Sequence, residues 1–98
     1  MLGRPNKVRI IAKDPEIKQF SPRGRHGRPG HTGLKYDELE AIRLSDHVGL
    51  DQTEAAGFMG ISQQTFSRIL KSGRKSVAKA LIKGDIIEIN GGHYRLQK

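Results

Sequence analysis

Cysteine and tryptophan are absent from this 98-residue sequence, and only 5% of its residues are aromatic. Without cysteine there can be no disulfide and no thiolate metal ligand, which fits a reducing intracellular compartment. No apolar run approaches the roughly 18 residues of a transmembrane helix, and the N-terminus lacks a signal-peptide hydrophobic stretch. We therefore expect a soluble, cytoplasmic protein that forms one small domain with a modest core.

Patterns typical of metal binding and catalysis are also lacking. His26 and His31 lie in a glycine-rich stretch with no carboxylate between them, so a closed tetrahedral site would need distant ligands. Asp37, Glu38 and Glu40 are expected to stabilise the start of a helix and to stay solvated. No nucleophile–base constellation or phosphate-binding loop occurs. We predict no metal, no cofactor and no enzymatic activity.

Positive charge is abundant and unevenly distributed. The chain has 18 Lys and Arg against 10 Asp and Glu, a formal net charge of +8. Residues 1–35 contain nine bases and two acids, residues 36–61 one base and six acids, and residues 62–83 six bases and no acid. This separation favours a phosphate-facing surface built from the first and third segments. The acidic segment is expected to face away from DNA or toward a partner.

Residues 52–71, QTEAAGFMGISQQTFSRILK, have the pattern of two helices that cross around a tight turn. The first helix is predicted over residues 52–59, where two alanines and Met59 share one face and allow close approach of a second helix. Gly60 can adopt the left-handed backbone conformation that ends this helix. Ser62 can then cap the next one. The sequence thus predicts a helix-turn-helix.

The second of these helices is predicted to bury Phe66, Ile69 and Leu70, which recur at i, i+3 and i+4. Its opposite face carries amide, hydroxyl and cationic groups without a carboxylate, which suits contacts to base edges and phosphates in the major groove. A plain helical hairpin with a solvated outer face is the alternative. The candidate DNA-binding residues on this helix are Gln63, Gln64, Thr65, Ser67, Arg68, Lys71, Arg74 and Lys75.

Helical periodicity extends on both sides of this motif. A preceding helix is predicted to begin near Tyr36 and to end before Gly49. The second helix of the turn motif is predicted to continue past Gly73 and to stop at Gly84. Because glycine inside a helix costs about 1 kcal/mol relative to alanine, we expect a bend, a break or a close contact at Gly73.

Residues 1–35 are predicted to form a basic arm with a short strand over residues 8–12. Residues 21–33, SPRGRHGRPGHTG, are too rich in glycine and proline for regular structure. Within them, Pro-Arg-Gly-Arg at residues 22–25 resembles the core of an AT-hook, which enters A·T-rich minor grooves. A simple phosphate-binding arm is the other interpretation. The candidate DNA-binding residues of the arm are Arg23, Arg25 and Arg28.

Residues 85–98 are predicted to form a C-terminal β-hairpin. An isoleucine-rich run precedes Asn90 and Gly91, and this pair provides the positive φ angles that tight primed turns require. Because an isolated two-stranded hairpin is marginally stable, we expect it to pair with the strand at residues 8–12, within the chain or across a dimer. Packing on the last helix alone is the alternative.

Residues 36–50, YDELEAIRLSDHVGL, with EAAGFMGISQQTFSRIL further on, resemble the bacterial and archaeal predicted DNA-binding proteins grouped as uncharacterised protein family 0251, also described as domain of unknown function 134. The resemblance covers most of the chain and extends more distantly to region 4 of bacterial sigma factors. It implies a mainly α, tri-helical helix-turn-helix domain over residues 36–84, with the second helix of the turn in the major groove. The Gly/Arg-rich loop has no clear counterpart in this pattern, and the N-terminal cysteines of some relatives are missing. The positions that inherit the DNA-reading role are Gln63, Gln64, Ser67, Arg68 and Lys71.

These observations predict a sequence-specific DNA-binding protein, a transcriptional regulator associated with the nucleoid. A homodimer is expected on double-stranded DNA, because one small reading head buries little surface and gains specificity from a second half-site. Two alternatives remain. The protein could be an adaptor that holds RNA polymerase through the acidic residues 37–46, or a nucleic-acid binder that acts through charge alone.

Overall fold

The fold combines three α-helices with two small β-sheets in the part of the chain that the structure describes. The structure is a computed structural model, and it describes residues 8–24 and 27–97. A π-helical segment, Arg43–Val48, continues the first helix. The elements, in chain order, are β1 (Arg9–Ile11), β2 (Gln19–Phe20), β3 (His31–Leu34), α1 (Tyr36–Ile42), α2 (Gln52–Met59), α3 (Gln63–Lys83), β4 (Ile86–Ile89) and β5 (Tyr94–Leu96).

A tight turn connects α2 to α3, as the sequence predicts. Asp51 caps the start of helix α2: its side chain accepts a hydrogen bond from the Glu54 N–H at 2.9 Å, and the Glu54 carboxylate accepts from the Asp51 N–H. Gly60 caps the end of α2, with φ 69° and ψ 32° in the left-handed region. Ser62 then caps α3 by accepting a hydrogen bond from the Thr65 N–H at 3.1 Å. Local hydrogen bonding therefore defines both helix ends at the turn.

The larger hydrophobic core lies where α1, α2 and α3 meet. Phe66, Met59 and Leu70 are among the largest fully buried side chains. The small residues Ala55 and Ala56 on α2 are also buried in this cluster and let the helices approach closely. A second cluster joins the start of α1 to the strands, and its buried members are Ile11, Leu34, Tyr36 and Ile89.

Helix α3 is continuous through Gly73, and the expected irregularity at this residue is a close contact. A Cβ atom at residue 73 would lie 3.0 Å from the Glu38 Cβ and 3.2 Å from the Glu38 carbonyl oxygen. Glycine therefore allows α1 to lie directly against α3. Gly84 caps the end of α3, and its φ of 69° again lies in the left-handed region.

The predicted C-terminal hairpin is wrong, because β4 and β5 belong to different sheets. Strand β4 lies between β2 and β3, antiparallel to β2 and parallel to β3. Asn90 extends this pairing by donating its N–H to the Leu34 carbonyl, and the Gly91 carbonyl accepts from the Tyr36 N–H. The Asn-Gly segment therefore crosses the start of α1 instead of reversing the chain. Strand β5 pairs with β1 in parallel, so the expected partner of the last strand is confirmed within the chain.

Regular structure also extends into residues 21–33, where the sequence predicts none. Strand β3 begins at His31 and includes Gly33, while Thr32 and Leu34 face the interior. The error has a non-local cause. Pairing with β4 supplies the backbone hydrogen bonds that offset glycine's conformational entropy, and local composition does not reveal that partner.

Candidate nucleic-acid interface

One face of the N-terminal half of α3 is polar, cationic and exposed, and we call it the polar face of α3. On the opposite side of these turns of the helix, Phe66, Ile69 and Leu70 are buried in the core. The polar face contains no carboxylate, so nothing on it repels an anion. Its residues, all exposed, are Gln63, Gln64, Ser67, Arg68 and Lys71.

Two predicted site residues next to the turn have partners within the chain. The Thr53 hydroxyl donates a hydrogen bond to the Gln63 side-chain oxygen at 3.0 Å. The Ser62 hydroxyl lies 2.9 Å from the Thr65 hydroxyl, and Thr65 is only partly exposed. Gln63 is thus oriented by α2, whereas Thr65 belongs to the helix cap.

Arg74 is bound to the π-helical segment instead of projecting freely. Its guanidinium donates two hydrogen bonds to the Asp46 carboxylate, at 3.0 Å and 2.6 Å. This bidentate contact lowers the pKa of Asp46 below its ordinary value. Lys75, the next predicted site residue, is exposed. Arg74 therefore connects α3 to the segment after α1, and its charge is partly offset by Asp46.

Arg23, one of the predicted arm residues, does not join the polar face of α3. Arg23 and Arg28 are exposed, and Arg25 lies outside the described residues. The segment just before Arg23 shares a groove with Leu81, near the end of α3. Since a helix rises about 1.5 Å per residue, Leu81 is about 20 Å along the axis from Arg68. Arg23 thus lies toward the C-terminal end of α3, away from the polar face.

The acids at the start of α1 are buried, which corrects the expectation that they are solvated. Asp37 and Glu38 are each 5% exposed and Glu40 is 8% exposed. One Glu38 carboxylate oxygen accepts from the Lys35 N–H, and the other accepts from the Ser72 hydroxyl of α3. The carboxylate of Glu38 therefore links the start of α1 to α3.

Glu40 and Asp37 connect α1 to β1 and to basic side chains. Glu40 accepts a hydrogen bond from the Ala12 N–H at 3.0 Å and from the Arg43 guanidinium at 2.7 Å. Burial raises the pKa of Asp37 above its ordinary value, and the nearby charge of Arg9, 3.7 Å away, opposes that shift. These three acids therefore hold the fold together and do not form an exposed acidic surface.

A cleft of about 290 Å³ adjoins the polar face of α3 and is not predicted from the sequence. Arg68 forms one side, and Lys35 and His93 enter from segments before α1 and after β4. No sequence signal links these residues, because the crossing of residues 90–92 over the start of α1 brings them together. We call it the Arg68 cleft. Its lining residues are Arg9, Lys35, Asp37, Glu38, Arg68, Ile69, Ser72, Gly92 and His93.

The histidines in the described residues are dispersed. The Nδ1 atom of His31 lies 3.1 Å from Glu88, whereas His47 and His93 are exposed on other parts of the molecule. Across residues 8–24 and 27–97, no group of three His, Cys, Asp or Glu side chains is arranged to hold a metal ion. Within the same residues, no helix has both the length and the apolarity needed to cross a membrane.

Over residues 8–24 and 27–97 the protein thus has three α-helices, two short sheets and an exposed cationic helix face. Residues 1–97 match the family model described as "Protein of unknown function DUF134", and the chain belongs to this family. The chain is 44% identical over 97 residues to a UPF0251 protein of Methanococcus maripaludis strain C7. This alignment covers 98% of the chain and 75% of that relative. It is 45% identical over 94 residues to a UPF0251 protein of Desulfosudis oleivorans, covering 95% and 68% respectively. No solved structure matches the chain.

Proposed function

We propose that this protein is a sequence-specific DNA-binding regulator of transcription in which α2 and α3 act as a helix-turn-helix of the sigma region 4 type. In this proposal the polar face of α3 lies in the major groove of double-stranded DNA. The observation that carries the proposal is the exposure of this face, with amide, hydroxyl and cationic groups and no acid, directly after the turn at Gly60.

The chemistry of the polar face suits base recognition. Gln64, Arg68 and Lys71 follow one another at i, i+4 and i+7, so they form a row along one side of the helix. Glutamine can pair with adenine through two hydrogen bonds, and arginine can do so with guanine. Lysine and Ser67 add contacts to phosphates or base edges. An α-helix fits the major groove, which is about 12 Å wide.

The attachment of α3 to the core supports a reading role. Specific contacts need side chains that start from a fixed backbone, because a mobile helix would lose the discrimination between bases. Phe66 is completely buried beneath the polar face, and Ser62 caps the first turn. Gly73 keeps the middle of α3 against α1. The exposed side chains therefore project from a helix fixed at three points.

We also propose that the protein binds DNA as a homodimer through the C-terminal end of α3. Leu81 and Ile82 are 72% and 86% exposed, and Phe20, 54% exposed, borders the same groove as Leu81. Ile82 lies 14 residues beyond Arg68, which corresponds to about 21 Å along the helix. In a dimer joined through this end of α3, with the two α3 helices inclined to each other, the two polar faces can lie about 34 Å apart. This is the distance between half-sites that are separated by one turn of the DNA helix.

This function needs no cofactor and no catalytic group, and it places the protein on the chromosome in the cytoplasm. An adaptor role through the acidic residues 37–46 has less support, because Asp37, Glu38 and Glu40 are buried and bonded within the chain. Binding through charge alone would use the same cationic groups but would show no preference among duplexes.

Replacing Arg68 by alanine tests the assignment of the polar face. We expect the affinity for a selected duplex to fall by about 1–3 kcal/mol and the preference at one base pair to disappear, because a bidentate base contact is lost. Binding to duplexes that carry each base at each position measures both effects. Since Arg68 is exposed, the variant should keep the melting temperature of the parent.

Lys75→Ala provides a control on the same helix. Lys75 is exposed and lies beyond the polar face, so its removal should weaken binding to all duplexes alike. The number of counterions released on binding, measured by the slope of log affinity against log salt, should fall by about one. The assignment is contradicted if Arg68→Ala binds every duplex as the parent does. An equal loss of affinity for all duplexes in both variants would instead favour binding through charge alone.

A further inference from the structure

The Arg68 cleft lies beside the polar face of α3 and shares Arg68 with it. Its other basic groups come from outside the turn motif, since Lys35 precedes α1 and His93 precedes β5. Both of these side chains belong to exposed residues. A helix seated in the major groove has a sugar–phosphate backbone on each side, so groups immediately beside α3 face phosphates.

Hydrogen bonds hold the two sides of the cleft in a fixed arrangement. The Ser72 hydroxyl on α3 donates to Glu38, and Glu38 also accepts from the Lys35 N–H. A Cβ atom at Gly92 would lie 3.2 Å from the Lys35 Cβ, so these two segments are in direct contact. The His93 carbonyl in turn accepts from the Arg9 N–H of β1. Lys35 and His93 are therefore positioned relative to α3 by the fold.

The acids in the cleft are buried and are engaged by other groups of the protein. Asp37 is 5% exposed and lies 3.7 Å from the Arg9 guanidinium. Glu38 is equally buried and bonded to two donors of its own chain. The exposed basic residues that line the cleft are Lys35, Arg68 and His93. Hydrogen-bond donors of this kind suit a phosphate oxygen.

We propose that the Arg68 cleft binds one phosphate of the DNA backbone, through Lys35 and His93, next to the bases that the polar face of α3 contacts. This inference rests on the proposed DNA-binding function. Backbone contacts fix the position and orientation of a protein on the duplex, whereas base contacts provide specificity. The segments outside α2 and α3 accordingly set the register in which α3 meets the bases. Arg68 lies at the junction of the two surfaces.

The test compares Lys35→Ala and His93→Ala in the full chain, with affinity for a duplex selected by the parent measured over a range of salt concentrations. Lys35→Ala keeps the Cβ atom that lies beside Gly92 and removes the rest of the side chain, including its cationic end. We expect its affinity to fall roughly threefold to tenfold and the slope of log affinity against log salt to decrease by about 0.9. Base preferences should stay those of the parent. His93→Ala should weaken binding in the same base-independent way.

Lys13→Ala is the matched control, because Lys13 is exposed and borders a different cleft, with Leu39 and Arg43 on the other side of α1. It should bind DNA with the salt dependence of the parent. A neutral methylphosphonate placed at one backbone position at a time identifies the phosphate itself. One position should weaken binding by the parent and cause a smaller loss in Lys35→Ala, since one of the two contacts to that phosphate is already absent.

The outcomes separate this inference from the proposed function. If Lys35→Ala and His93→Ala keep the affinity and salt slope of the parent, while Arg68→Ala changes base preference, the cleft does not bind phosphate and α3 still reads DNA. The inference would also be overturned if, at every backbone position, the affinity lost to the methylphosphonate were the same in Lys35→Ala as in the parent. If the folded parent binds no duplex, both proposals are wrong.

Discussion

Replacing Phe66 by alanine is expected to lower the free energy of unfolding by about 3–5 kcal/mol. Phe66 has no exposed surface and lies in the cluster where α1, α2 and α3 meet, so the substitution removes a large apolar group and leaves a cavity. Domains of this size are typically stable by only about 5–15 kcal/mol. Chemical denaturation should show a large fall in midpoint, and the proposed DNA binding should weaken because α3 loses its support.

Phe58→Ala is the matched control, since the same side chain is removed from the neighbouring helix. Phe58 is 64% exposed, and changes at such positions usually alter stability by less than about 0.5 kcal/mol. Similar losses in the two variants would contradict the packing described here. A larger loss for Phe58→Ala than for Phe66→Ala would mean that the face of α3 assigned to the core is incorrect.

Replacing Gly73 by leucine is expected to destabilise the protein by at least about 1–3 kcal/mol. The new Cβ alone would lie 3.0 Å from the Glu38 Cβ and 3.2 Å from both the Glu38 carbonyl oxygen and the Ile42 Cδ1. Because one of these neighbours is backbone, α1 must move away from α3. The same movement would stretch the hydrogen bond between Ser72 and Glu38. Thermal unfolding measures the loss.

Gly57→Leu separates packing from helix propensity. Gly57 is an exposed residue of α2, and a Cβ there would meet nothing within 4 Å. Leucine is a better helix former than glycine by nearly 1 kcal/mol, so this control should leave stability unchanged or raise it. If Gly73→Leu also raises stability, the close approach of α1 to α3 is not present in solution.

The sequence predicts the two helices and their turn because local signals specify them. Ser62 and Gly60 act within a few residues of their own positions, and the i, i+3, i+4 spacing of Phe66 and Ile69 identifies the buried side. The stop of α3 at Gly84 has the same local origin. These features require no knowledge of which distant segment packs against them.

The strand arrangement could not be predicted in the same way, because pairing partners are distant in sequence. Asn90 and Gly91 form a strong local hairpin signal, yet the isoleucine-rich β4 gains more by lying between β2 and β3. Gly33 likewise adopts a strand conformation only because β4 lies beside it. The tertiary partners outweigh local turn preference here.

The candidate site was predicted only where it lies on one helix. The exposed positions of Gln64, Arg68 and Lys71 follow from helical periodicity, whereas the place of Lys35 and His93 beside them depends on the sheet topology. Composition alone also suggests that acids such as Glu38 are solvated. Their burial arises because donors from other elements, including the Ser72 hydroxyl, reach them.

Selection of bound duplexes from a random DNA pool, with sizing of the recovered complex, tests the central claim most directly. If the polar face of α3 contacts bases, the pool should converge on one motif with two inverted half-sites, and the complex should contain two copies of the protein. Selection with Arg68→Ala should lose the preference at one position of each half-site. A pool that stays random while the folded protein binds it would contradict base recognition by α3.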